Sequence, residues 1–235
     1  MCATGVGYID PPRCEVRNNL DGHIYGVRGP LVSRVLDQVP LDFNPTRYIW
    51  GTRFRAALYL RDYDAASRVV ATTPPKWASQ LGAFDGPLEW AYGQIARARG
   101  DKQGALAAFA AARKAEEGLN GGKAENQPYR FTRYDAGLGR KEEAIREAQR
   151  AVELLPISVD SLNGPNNVAI LALVYAWTGE RDAALEQLEK VATVRGFDAG
   201  FGPTYGDLLL NPCWNDLRGD PRFDKIVAAA KAASK

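Results

Sequence analysis

The side chains that could do chemistry are few and poorly spaced for it. The chain has one histidine, His23, and three cysteines, Cys2, Cys14 and Cys213. A single imidazole rules out a multi-histidine metal site and leaves no serine or cysteine with a clear base partner. Cys2, Cys14 and His23 are also too far apart for the close ligand pairs that zinc sites use. No metal and no cofactor is therefore expected. The acidic pairs Glu116-Glu117 and Glu142-Glu143, and the run Glu186, Glu189, Lys190, read as solvated helix surface with i, i+4 partners. Glycosidase-type acid/base work needs two carboxylates across one cleft, which these do not promise. The glycines at 118, 121 and 122 follow a helical pattern, and Lys123 is followed by alanine. A phosphate cradle would need a preceding strand and a lysine–hydroxyl pair, so this stretch reads as a linker.

Charge and hydropathy narrow the classes further. Thirty basic and 28 acidic residues leave a net charge of +2. No global basic field is present to drive nucleic-acid or membrane binding. The longest apolar run, residues 168–177, is half of the roughly 20 residues a bilayer span requires. The first residues lack a basic stretch followed by an apolar one, so no secretory signal is expected. Three scattered cysteines point to a reducing, cytoplasmic setting rather than a disulfide framework.

What positions these residues is a repeat. Turns beginning at Arg61, Gly100, Gly139 and Gly179 are each followed five residues later by alanine: Ala66, Ala105, Ala144 and Ala184. The starts are separated by 39, 39 and 40 residues. The glycine can close a first helix in the left-handed conformation. The alanine lets a second helix return close against the first. Val70, Phe109, Ala148 and Leu188 follow one turn later, then Thr73, Ala112, Ala151 and Val191. That is the stripe of a helix burying one face. Pro156 stops the third unit, and Gly164-Pro165 opens the first helix of the fourth, whose stripe is Val168, Leu171, Ala172 and Tyr175.

These residues resemble the tetratricopeptide repeat family. Unit four matches its consensus at Ala172, Tyr175, Gly179, Ala184 and Leu188, unit three at Gly139, Ala144, Ala151 and Pro156, and unit two at Gly93, Gly100, Ala105, Phe109 and Ala112. Unit one matches at Trp50, Tyr63 and Ala66 but carries Arg61 where glycine is expected, and the period exceeds the family's usual 34. The resemblance implies an all-α fold, a right-handed α-α superhelix of antiparallel helix pairs. It also implies a concave groove lined by first-helix positions, here Tyr48, Arg55, Tyr59, Trp90, Gln94, Arg97, Tyr129, Arg133, Asn166 and Trp177. Such a groove is rich in arginine and aromatic side chains, the residue types of binding hot spots and of carboxylate recognition. Residues ~130–225 are also similar to the repeat tail that ends many bacterial adenylate cyclase, protein kinase and winged-helix signalling proteins.

The expected organisation is an irregular lead over 1–20, a degenerate helix pair over 21–45 containing a helix at 31–39, four pairs over 46–200, and capping helices over 201–235. In the cap, Asn211-Pro212 and Asp220-Pro221 each start a helix, while Trp214, Leu217 and Phe223 plug the last pair. The function expected is a non-catalytic scaffold holding a protein or peptide, with acidic groups, in the groove. The alternatives are a regulatory or oligomerisation tail of a signalling protein and, third, an all-α enzyme.

Overall fold

The computed structural model describes residues 47–73, 86–119, 129–161, 163–194 and 203–234. The lead over 1–20, the degenerate pair over 21–45, the Cys2, Cys14 and His23 side chains and most of the glycine linker lie outside these. Every regular element among the described residues is a helix. Pair one is α1 (Arg47–Tyr59) and α2 (Tyr63–Ala71), and pair two is α3 (Leu88–Arg99) and α4 (Lys102–Leu119). Pair three is α5 (Tyr129–Gly137) and α6 (Lys141–Leu154), and pair four is α7 (Gly164–Trp177) and α8 (Arg181–Val191). Then follow the short α9 (Tyr205–Leu210), a 3₁₀ turn (Pro212–Leu217) and α10 (Pro221–Ala233). None of the helices among the described residues is long and apolar enough to cross a membrane.

The phase of the repeat is reproduced in the backbone. Gly100, Gly139 and Gly179 have φ of 79°, 76° and 88°, and Arg61 takes the same left-handed conformation with φ of 61°. Behind each turn the next amide bonds back five residues: Asp62 N to Ala57 O at 3.0 Å, Asp101 N to Ala96 O at 2.9 Å, Arg140 N to Asp135 O at 2.9 Å, and Glu180 N to Tyr175 O at 2.8 Å. This closure satisfies the last carbonyls of each first helix. Pair one therefore makes the glycine turn without glycine.

The returning helices bury the expected stripes. Ala66, Ala105, Ala144 and Ala184 are buried, as are Val70, Phe109, Ala148 and Leu188 and the four residues three positions further on. Phe109 is held between two first helices. A Cβ on Gly93 of α3 would meet its ring at 2.3 Å, and one on Gly137 of α5 at 2.4 Å. Close approach, not turn geometry, explains both glycines. In α7 the stripe widens until Val168, Ala169, Ile170, Leu171, Ala172, Val174 and Ala176 are all buried. An apolar surface on all sides makes α7 a central helix, packed on α5, α6, α8 and the C-terminal elements.

One expectation is overturned at the second helices. Glu116 is not solvated surface: it is buried, and Tyr134 donates a 3.3 Å hydrogen bond to its Oε2. Its place on α4 faces α5, and Tyr134 supplies the polar end that the carboxylate needs there.

The C-terminal elements pack on pair four. Asn211 Oδ1 accepts from Cys213 N at 3.0 Å and Asp220 Oδ1 from Arg222 N at 2.9 Å, so both Asx-Pro starts form. Leu208, Trp214, Leu217, Phe223 and Ile226 bury against Ala172, Ala184, Leu185 and Leu188.

Candidate functional site

The C-terminal end of α7 reaches back to α3 and α4. Trp177, at the end of α7, meets Trp90 of α3 with ring centroids 5.8 Å apart, and Phe109 of α4 at 5.6 Å. Trp90 in turn packs on Phe109 at 5.4 Å and edge-on to Tyr134 at 5.5 Å. Pair four thus touches pair two past the short α5. Rings in such tilted and edge-on contacts form a core.

Two expected groove arginines are buried. Arg133 is buried with its guanidinium 4.8 Å from the Trp90 ring centre and 5.8 Å from that of Tyr134. Arg55 is buried too, and its charge acts on Tyr59 and Asp207. Burial pushes the Tyr134 phenol up to about 12, so it stays a neutral donor.

Against α1 and α3 lies the chain's own segment 205–217, which we call the clasp. Its Asp207 carboxylate collects three donors: Tyr59 Oη at 2.6 Å and Asn211 Nδ2 at 2.8 Å on Oδ1, and Trp214 Nε1 at 2.7 Å on Oδ2. Burial pushes the Asp207 carboxyl up while those hydrogen bonds pull it down. Burial and the neighbouring Asp207 push the Tyr59 phenol well above its ordinary value. Further along, Arg97 of α3 pairs with Asp216 and lies 4.4 Å over the Trp177 ring. Trp177 Nε1 donates to Cys213 O at 2.9 Å, and Arg61 Nη2 to Asn215 Oδ1 at 3.1 Å. Leu210 packs against the first-pair core around Trp50 and Phe54. What space is left between Leu58, Gln94, Arg97 and Trp177 on one side and Asn211, Pro212 and Cys213 on the other is a cavity of about 10 Å³, room for about one water.

The ten expected groove residues therefore divide. Tyr59, Gln94, Arg97 and Trp177 are brought together at the clasp, with Arg55 behind them. Trp90 and Arg133 belong to the aromatic core. Asn166 sits half-buried in the first turn of α7, away from both. Tyr48 and Tyr129 lie in the first turns of α1 and α5, and their side chains fall outside the described residues. The clasp residues Asp207, Asn211, Asn215 and Asp216 were missed. The Asn211-Pro212 start and Trp214 announced a plug, but nothing local to 205–217 announces that its polar side meets helices 148 residues away.

The site offers donors on the α1–α3 side and acceptors on the clasp. The arrangement holds the chain's own segment 205–217 against α1–α3. Burial pushes the Cys213 thiol well above its ordinary value, so it is not an activated nucleophile. Among the described residues no group of histidine, cysteine and acidic side chains is placed to hold a metal. Compared with models of known protein families, with characterised proteins and with solved structures, the chain matches none.

Proposed function

We propose that the chain is a non-catalytic protein-binding module, a stack of tetratricopeptide-like helix pairs that holds an extended or helical, acid-bearing segment of a partner against its inner face, in a reducing cytoplasmic setting. The observation that carries this reading is the clasp itself. A segment of two short helical elements joined at Asn211 lies on Tyr59, Arg97 and Trp177, with carboxylates on the phenol and on the guanidinium. Those are the residue types and the ligand chemistry expected of a recognition surface built from arginine and aromatics. The scattered cysteines support the setting, and the regular phase of the turns supports the stacked-pair description.

Arg97 is the residue to test. Its side chain is 33% exposed and lies over the Trp177 ring, and circular dichroism and thermal melting of the variant verify that the fold survives the charge reversal. Arg133 is unsuited, because a carboxylate over Trp90 would disrupt the packing there. Affinity capture from the source cell with tagged wild-type chain and with Arg97→Glu should yield a partner whose retention falls by at least about tenfold in the variant. Undiminished capture by a folded Arg97→Glu chain would refute the proposal.

A further inference from the structure

The clasp has two unlike sides. Toward α7 and α8 it is apolar, with Leu208, Trp214 and Leu217 buried among alanines and leucines. Toward α1–α3 it is polar, apart from Leu210: Tyr59 to Asp207, Arg61 to Asn215 and Arg97 to Asp216. The last two contacts are exposed to solvent, where ion pairs and hydrogen bonds add little to stability. The clasp is also braced within itself. Arg218 Nη2 donates to Leu208 O and Asn211 O, each at 3.2 Å, and Asp207 keeps Asn211 and Trp214 as donors whether or not Tyr59 is present. Leaving α1–α3 would not strand its buried carboxylate.

We infer that the clasp is a resident stand-in for the partner segment, and that a partner presenting carboxylate and amide acceptors displaces it from Tyr59, Arg61 and Arg97. The inference rests on the function proposed above and names both the partner's chemistry and the competitor it meets. Donors on α1–α3 would exchange one set of carboxylate and amide acceptors for another. The apolar side would remain on α7 and α8 throughout. Apparent affinity for any partner is then reduced by the fraction of chains whose clasp is closed.

The test uses the full chain and a dye-labelled synthetic peptide of residues 205–219 as probe, read by fluorescence anisotropy. Asn215→Ala with Asp216→Asn weakens the exposed contacts of the clasp, and Asp216→Asn alone is run beside it, because Asn215 Oδ1 also accepts from Arg218 Nε at 3.2 Å. Expected is peptide binding about tenfold tighter than to the wild type, as the open fraction rises. Addition of Arg97→Glu should reverse the gain, and a peptide carrying Asp216→Asn should bind more weakly. Hydrogen exchange supplies the second readout: protection across 205–217 should fall in the double variant while α7 and α8 stay protected. Equal peptide affinity in wild type and double variant would overturn the inference, as would unchanged protection, since the polar contacts would then not be what holds the clasp. If the peptide fails but Arg97→Glu still weakens capture of a cellular partner, displacement falls and the proposed function stands. If both fail, both fall.

Discussion

At the scale of single residues, two kinds of position are under tension. Arg61 is in the left-handed region, which costs a side chain with a Cβ roughly 1–2 kcal/mol. Its guanidinium reaches Asn215, a solvent-exposed contact that returns only part of this. Arg61→Gly should therefore raise stability by about 1 kcal/mol in urea unfolding, and Arg61→Ala, which keeps the Cβ and loses the contact, should lower it. Gly93 and Gly137 present the opposite case, with ordinary backbone but no room. Gly93→Ala or Gly137→Ala drives a methyl into the fully buried Phe109 ring and should cost about 1–3 kcal/mol. Pairing either with Phe109→Leu should recover part of the loss, which a conformational effect of alanine would not allow. Of these positions, the sequence marked Gly93 as a small-residue site and Arg61 as a departure from glycine. It could not show that Gly93 and Gly137 grip the same ring, because that contact joins different units.

Among the helices, α4, α5 and α6 are joined by charge as well as by apolar packing. Asp135 of α5 is fully buried and accepts from Arg113 Nε of α4 at 3.0 Å and from Arg140 Nη1 at 2.9 Å. Glu147 of α6 is near enough to feel Asp135 and Glu143 as like charges, with Arg113 and Arg146 opposing. Burial first, then those carboxylates, pushes the Glu147 carboxyl above its ordinary value, and burial does the same to Asp135. The unfolded chain releases these protons at the ordinary carboxylate pKa and the folded chain at a higher one. Stability therefore falls as pH rises through that window, and the ionised form is a cost at neutral pH. Glu147→Gln should melt higher than wild type at pH 7, with the difference closing as melts are taken down to about pH 4, where the wild-type side chain is protonated as well. Elements were the legible scale. Turn glycines, Asx-Pro starts and i, i+4 stripes are local, and local signals survive without knowledge of the fold. The short α9 was not read, since six residues carry too little periodicity. Glu116 was misread for another reason: a carboxylate on a helix looks solvated until the helix beside it offers a tyrosine.

For the molecule as a whole, the decisive fact is that the first pair and the C-terminal elements meet. In a stack whose units touch only their neighbours, loss of the cap frays the last unit and leaves the first unchanged. Here removal of residues 203–235 should also lower hydrogen-exchange protection in α1 and α2, because Tyr59, Arg61 and Leu210 link the two ends. Protection in α1 and α2 equal to that of the full chain would show the clasp contacts to be energetically idle. The groove was legible only in part for this reason. Its positions assume an open superhelix, whereas Trp177 reaches Trp90 past a nine-residue α5. The same meeting of ends limits how the chain can vary in length. An open stack gains or loses a unit freely, since each copy brings its own neighbour surface. Here an extra pair spliced between the second and third would separate Trp177 from Trp90 and carry Asp207 out of reach of Tyr59. Closure sets the number of pairs between α1 and the clasp, so this part of the protein can diversify by substitution within the four described pairs but not by duplicating them.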